Sequence, residues 1–267
     1  MLQPPSRLGF GVSGAHGTPL LARGESQARL CEAFEGGVRV FDTAPAYGAG
    51  EAERRLGAAV AELGRDRLFL STKVGVTSAG LARRRRDFSP DAVEASLVAS
   101  LVRMGVEGVD ILFLHGAAPA ELTDALMERL ETLQRAGAVA HLGAAGRGAE
   151  LDAVIGDARF AAIMAPVHPF LGPEEEARLL RAGAAGQAVF AIETAGDAPA
   201  GFRAPRQPGD LYALAKGARA RLRRARGRGR VGVVDGLASA LQRAPVSCAL
   251  FTTTRREHIA ACLSCGA

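Results

Sequence analysis

The sequence predicts an α/β chain in which strands and helices alternate eight times and close into a (β/α)8 barrel, one domain over residues 1–267. Three observations carry that expectation. Eight short runs rich in apolar, β-branched or aromatic residues are separated by longer stretches of helical periodicity. The runs are nearly continuous in apolar character instead of alternating, as parallel strands buried on both faces require. A length of 267 residues, about half of them hydrophobic, suits a single barrel and supplies a full core.

The strands are expected, in order, at 7–13 (RLGFGVS), 38–42 (VRVFD), 68–74 (LFLSTKV), 109–115 (VDILFLH), 138–143 (AVAHLG), 160–167 (FAAIMAPV), 188–194 (AVFAIET) and 246–252 (VSCALFT). Helix starts are marked between them. Gly24-Glu25-Ser26 precedes "QARLCEAFEGG", and Ser89 caps a helix with Pro90 in its first position and Gly105 at its end. In "PEEEARLLRAG" three acids open the helix and Arg181 closes it, matching the helix dipole. Residues 195–209 read as the loop after the seventh strand. A doubly wound open sheet competes with the barrel, but it calls for a phosphate loop after the first strand. Gly9, Gly11, Gly14 and Gly17 miss the GxGxxG spacing, and no helix opens directly after them.

The formal net charge of +5 is local. Residues 216–230 hold eight basic residues and no acid, leaving 25 basic against 28 acidic elsewhere. Leu211, Leu214, Ala218 and Leu222 recur at helical spacing, so the arginines are expected on the solvent face of an amphipathic helix. A nucleic-acid patch is the lesser reading, since no aromatic is interleaved for base stacking. Cys31, Cys248, Cys262 and Cys265 are irregularly spaced and read as reduced thiols, with Cys262-x-x-Cys265 lacking the second pair a structural zinc needs. No metal is expected. With no leader pattern and no run of eighteen apolar residues, the chain is expected to be soluble and cytoplasmic, without membrane partners, as a monomer or small homo-oligomer.

In a (β/α)8 barrel chemistry collects at the C-terminal ends of the strands. Three consecutive strands close on polar residues there: Asp42, Lys73 and His115, with Tyr47 in the loop after the second. Each has a plain structural alternative, as turn cap, surface lysine, buried histidine and rim aromatic. Together their chemistry is complementary. A phenol titrates near pH 10, too high for proton transfer near neutrality; a neighbouring ammonium favours its phenolate, and a carboxylate keeps that ammonium charged. A neutral imidazole adds a directional hydrogen bond without a competing charge. Such a site exchanges a proton with an oxygen on carbon. The hydride for the carbon end must come from a cofactor, and a nicotinamide carries one.

These residues, in "LGFGVSG", "GVRVFDTAPAYGAGEAERRLG", "RDRLFLSTKVG", "SPDAVEASLVASLVRMGVEGVDILFLHG", "LQRAGAVAHLG" and "PVSCALFTTTRREHI", make the chain resemble the aldo-keto reductase family. Residues 83–115 look most like its bacterial branch of D-threo-aldose (L-fucose) and pyridoxal dehydrogenases. The resemblance implies a metal-free TIM barrel interconverting aldehydes, ketones or sugar lactols with alcohols or lactones. Tyr47 would be the general acid, Lys73 and Asp42 its tuning pair, and His115 the group that orients the carbonyl. NADPH is the expected cofactor, NADH the alternative. Its contacts would fall at Gly11, Asp42, Ala145, Met164, Thr252, Thr253, Thr254 and Arg255. Ala145, Gly146 and Met164 stand where the family usually has a Ser-Asn pair and a Gln for the carboxamide. A second expectation follows: a cofactor-poor barrel that keeps the four residues and serves as a binding or regulatory protein. Relative to the family, the N-terminal floor hairpin and the C-terminal tail are expected to be shortened. Arg83 to Arg86, in the loop after Lys73, are expected to be a solvated loop, with attraction of a phosphorylated or carboxylated substrate as the lesser reading.

Overall fold

The computed structural model describes residues 1–80, 84–196, 208–222 and 227–266. Its strands are β1 (Leu8–Gly11), β2 (Val40–Asp42), β3 (Phe69–Val74), β4 (Val76–Ser78), β5 (Arg84–Arg86), β6 (Val109–His115), β7 (Val139–Ala145), β8 (Phe160–Pro166), β9 (Ala188–Ile192) and β10 (Val246–Phe251). Eight of these close into a parallel barrel in the order β1-β2-β3-β6-β7-β8-β9-β10, so each of the eight strand segments read from sequence is a stave. β4 and β5 form a separate antiparallel hairpin that the sequence reading left as loop.

The helices are α1 (Arg23–Glu35), α2 (Glu51–Leu63), α3 (Pro90–Met104), α4 (Asp124–Arg135), α5 (Ala149–Asp152), α6 (Pro173–Ala184), α7 (Pro208–Leu222), α8 (Val233–Leu241) and α9 (Arg256–Leu263). Ser89, Pro90 and Gly105 bound α3 as expected, Gly105 in the left-handed region at φ 67°. The Ser89 hydroxyl, however, donates to Asp87 and makes no cap bond. The start of α1 lies earlier than Gly24-Glu25-Ser26 implied. Glu25 accepts the N–H of Ala22, the capping position, and Ser26 is buried inside the helix. On α7, Leu211 is 46 % exposed and Ala218 is exposed while Leu214 is half-buried, so these positions do not form the expected apolar stripe; the side chains of residues 219–226, Leu222 among them, lie outside those described. That helix instead sets Tyr212 and Gly209 against the turn Gly14–Gly17 and Thr254. Arg83 and residues 197–207, and with them most of the expected loop 195–209, lie outside the described residues.

Side chains separate into two apolar layers. One cluster, including Ile111, Phe113, Met164 and Phe190, fills the barrel, and Leu2 and Phe69 pack against it. The other fills the space between strands and helices. Two phenylalanines at 5.6 Å occupy the interior only because facing positions are small: a Cβ on Gly143 would lie 2.5 Å from Phe113.

Two polar anchors fasten the layers. Glu53 of α2 is fully buried, accepts the Thr72 hydroxyl of β3 at 2.9 Å and pairs with Arg103 of α3 at 2.5 Å. Removing the cation leaves an uncompensated buried carboxylate, which costs about 3 kcal/mol or more. His16, also fully buried, donates from Nε2 to the Thr253 carbonyl at 3.0 Å and accepts the Ser26 hydroxyl at Nδ1 at 2.7 Å. It thereby ties the turn after β1 to the turn after β10. Burial, reinforced by Arg55 and Arg29, pushes its pKa down to about 4 against the pull of the Thr253 carbonyl.

Two outcomes are expected. Arg103→Met lowers the unfolding free energy in urea by about 3 kcal/mol, and a loss under about 1 kcal/mol contradicts the anchor. For His16 the folded ring stays neutral at pH values where the unfolded ring, near 6.5, takes a proton. Its stabilising contribution is complete above pH 6.5, falls as pH drops towards 4, and changes no further below. The loss across that window is about 3 kcal/mol. Urea titrations at pH 7, 6, 5 and 4 compare the native chain with His16→Gln, in which other groups cancel; the variant should lose about 3 kcal/mol less. Parallel curves would contradict this reading.

Candidate active site

Neighbouring staves β2, β3 and β6 carry Asp42, Lys73 and His115 at their C-terminal ends, Lys73 one residue before the end of β3, on one rim of the barrel. Asp42 pairs in register with Ser71, two residues before Lys73, so both β3 side chains turn to the same face as the carboxylate. Lys73 Nζ donates to Asp42 Oδ2 at 2.5 Å and to the Thr43 carbonyl at 2.9 Å, and Ser71 Oγ donates to Asp42 Oδ1 at 2.7 Å. Asp42 and Lys73 are 5 % and 2 % exposed, so this is a dry ion pair with both carboxylate oxygens engaged. Burial works against the lysine's charge, but Asp42 and Tyr47 outweigh it and hold the pKa above the usual value. Lys73 is a cation throughout the physiological range.

Tyr47 lies above this pair. Lys73 Nζ is 5.2 Å from the centre of its ring, and the His115 ring meets it edge-on at 6.5 Å and 78°. The backbone delivers the ring there through an unusual turn: Gly48, Ala49 and Gly50 all have positive φ, at 63°, 52° and 83°. A Cβ on Gly48 would lie 1.8 Å from the Gly17 carbonyl oxygen, so only glycine permits this approach. Ala49 carries the strain of the left-handed conformation without that excuse.

His115 is half-enclosed, and its Nδ1 is buried with no hydrogen-bond partner. Burial, then the charges of Lys73, Arg84 and Arg86, pushes its pKa down to about 3, so the ring is neutral near pH 7. Its other ring nitrogen, Nε2, is not among the buried atoms; beside a phenol and a buried ammonium it can take a hydrogen bond from, or give one to, an oxygen arriving between them.

The remaining sequence-derived positions divide. Gly11 and Thr252 meet, the Thr252 hydroxyl donating to the Gly11 carbonyl at 2.7 Å and lying 3.3 Å from Ser13 Oγ. Thr253 Oγ1 accepts the Arg255 N–H at 3.1 Å. Arg255 is engaged by Asp210 of α7 at 2.5 Å, a partner the sequence reading did not foresee. Thr254 borders Gly209 of the same helix. Ala145 and Met164 pair in register on β7 and β8 and are 4 % and 0 % exposed, belonging to the barrel's apolar filling. Beside them Glu150, also missed, accepts the Arg147 N–H at 2.9 Å and fills the space over Gly146, where a Cβ would lie 2.5 Å from its Oε2. Ser71 was missed too, although its i, i+2 spacing from Lys73, which puts both on one face, could have found it; His16 in "SGAHGT" carried no comparable signal. Among the described residues no helix is long and apolar enough to cross a membrane.

A family model described as the aldo/keto reductase family matches residues 7–193. The chain is 32 % identical over 148 residues to a D-threo-aldose 1-dehydrogenase of Pseudomonas sp, covering 48 % of this chain and 45 % of that protein. It is 30 % identical over 141 residues to a probable aldo-keto reductase 1 of Glycine max, covering 52 % of this chain and 40 % of that one. These matches thus span less than half the length of either relative. In three dimensions it is similar to aldo-keto reductase AKR11C1 from Bacillus halodurans in its holo form, with TM-score 0.76 and 20 % identity over 99 % of this chain and 89 % of the other. A glycerol dehydrogenase from Gluconobacter oxydans gives TM-score 0.75 and 21 % identity over 100 % and 88 %. The closed barrel and a family match over most of its length establish that the chain belongs to the aldo/keto reductase family.

Proposed function

We propose that the chain is a nicotinamide-dependent oxidoreductase interconverting aldehydes, ketones or sugar lactols with the corresponding alcohols or lactones. The observation that carries this reading is the dry Lys73–Asp42 pair under Tyr47, beside a neutral His115. In reduction Tyr47 gives a proton to the carbonyl oxygen; in oxidation it takes that proton back. Lys73 favours the phenolate left behind, because its positive charge is fixed nearby in a poorly screened site. Asp42 holds the lysine in place, and His115 orients the oxygen without adding charge.

A nicotinamide, when bound, supplies the hydride at carbon. The residues fit such a group unevenly. Hydroxyls of Thr252 and Thr253 and the guanidinium of Arg255 collect after β10 and suit phosphate oxygens. A 2′-phosphate would compete with Asp210 for Arg255; NADPH is our assignment, and NADH the alternative that leaves that pair intact. At the carboxamide end Ala145 and Met164 offer no side-chain hydrogen bond. That observation favours a second reading, a barrel with the proton-transfer residues intact that binds a small molecule without turning it over. The D-threo-aldose relative supports the lactol class, and a small-molecule partner and a cytoplasmic location are part of the same proposal.

Tyr47→Phe is expected to lower kcat by about a hundredfold or more while the melting curve and circular dichroism stay those of the native chain. Retention of most of the activity overturns Tyr47 as the acid. Because His115 titrates near pH 3, the kcat profile should carry no acid limb near pH 6.5. A limb centred there that His115→Asn removes would contradict its neutrality.

A further inference from the structure

The β4–β5 hairpin leaves the barrel directly after the strand carrying Lys73 and returns with Ser78, Thr77 and Val76 opposite Arg84, Arg85 and Arg86. All three arginines are exposed. Side chains alternate along a strand, so Arg84 and Arg86 share one face and Arg85 the other. Arg85 pairs with Asp87 at 3.0 Å. Arg86 is anchored towards the catalytic rim: it donates at 2.5 Å to the carbonyl of Gly116, the residue after His115, and pairs with Glu121. Arg84 therefore lies on the face turned to His115, one step nearer the hairpin tip, and forms no ion pair among the described residues.

The charges around this mouth do not cancel evenly. Lys73 is matched by Asp42 and Arg86 by Glu121, which leaves Arg84 uncompensated on the hairpin side. Lys73, Arg84 and Arg86 all press on the His115 ring as positive charges. On the β7 side of the same Gly116, Glu150 lies 3.1 Å from where a Cβ would sit, bonded to the Arg147 N–H and forming no ion pair among the described residues. The mouth is thus polarised, cationic on the hairpin side and anionic on the β7 side.

We propose that Arg84, backed by Arg86, binds the carboxylate or phosphate of an anionic carbonyl substrate whose carbonyl oxygen lies between Tyr47 and His115. This rests on the oxidoreductase reading and narrows its substrate class. A partly solvated guanidinium facing a fixed anion discriminates by about tenfold, and salt screens the effect.

The test compares the native chain with Arg84→Gln on succinic semialdehyde against butyraldehyde, and on glyceraldehyde 3-phosphate against glyceraldehyde, which separates carboxylate from phosphate. Expected is a native preference for one or both charged substrates at low salt. Arg84→Gln should lower kcat/KM for the charged substrate about tenfold and change the neutral one less than twofold, and about 0.3 M salt should do the same to the native chain. An unchanged ratio of charged to neutral in the variant overturns the proposal while leaving the oxidoreductase reading standing. If neither class is turned over, that reading falls, and calorimetry with succinate and with its uncharged diamide decides separately. Salt-sensitive succinate binding lost in Arg84→Gln supports the anion site, and equal heats in both proteins overturn it.

Discussion

The 2.5 Å contact between Lys73 and Asp42 is the constraint on which the rest of the rim depends. Two charges taken out of water are costly unless each is fully partnered, and here Ser71 and the Thr43 carbonyl complete the set. The partnering needs β2 and β3 in one register, with Asp42 opposite Ser71, and it needs the chain after β2 to turn back across β3. Thr43 makes that turn, its N–H donating to the Ser71 carbonyl and its hydroxyl to the Val12 carbonyl. The left-handed run Gly48-Ala49-Gly50 then lifts Tyr47 over the pair and releases the chain into α2. Backbone strain at Ala49 is held by packing elsewhere, which is how a rigid barrel presents a reactive group.

Opposite this region the rim is built differently. On β7 and β8 the inward positions are Ala145 and Met164, continuous with the apolar filling, and Glu150 occupies the space over Gly146. After β10 the hydroxyls of Thr252 and Thr253 are threaded into bonds with Gly11, Ser13 and Arg255, while α7 reaches over through Asp210 and Tyr212. His16 locks the β1 and β10 turns from below. The proton-moving side is charged and preorganised. The side facing it relies on backbone, hydroxyls and shape.

The eight staves were legible because strands buried on both faces must be apolar throughout, a pattern helices and loops in this chain do not share. The proton-transfer residues were legible for a related reason: a polar residue ending an otherwise apolar strand has no packing role, so Asp42, Lys73 and His115 stood out. What escaped reading depends on partners distant in sequence. Glu53 and Arg103 look like ordinary helix-surface charges until Thr72 closes the set. Asp210 meets Arg255 across 45 residues, and Ser26, which reads as a helix cap, is taken into α1 to bond His16. The arginines after β3 showed only as a charge run; their pairing with Val76–Ser78 decides which of them face His115.

The central claim is that this barrel joins its proton-transfer residues to a bound nicotinamide despite the apolar carboxamide end. Titration of the purified protein with NADPH and with NADH, followed by calorimetry or cofactor fluorescence, tests it most directly. Saturable binding in the micromolar range is the expected result, and absence of binding at millimolar cofactor would contradict the claim and leave a barrel that holds small molecules without reducing them.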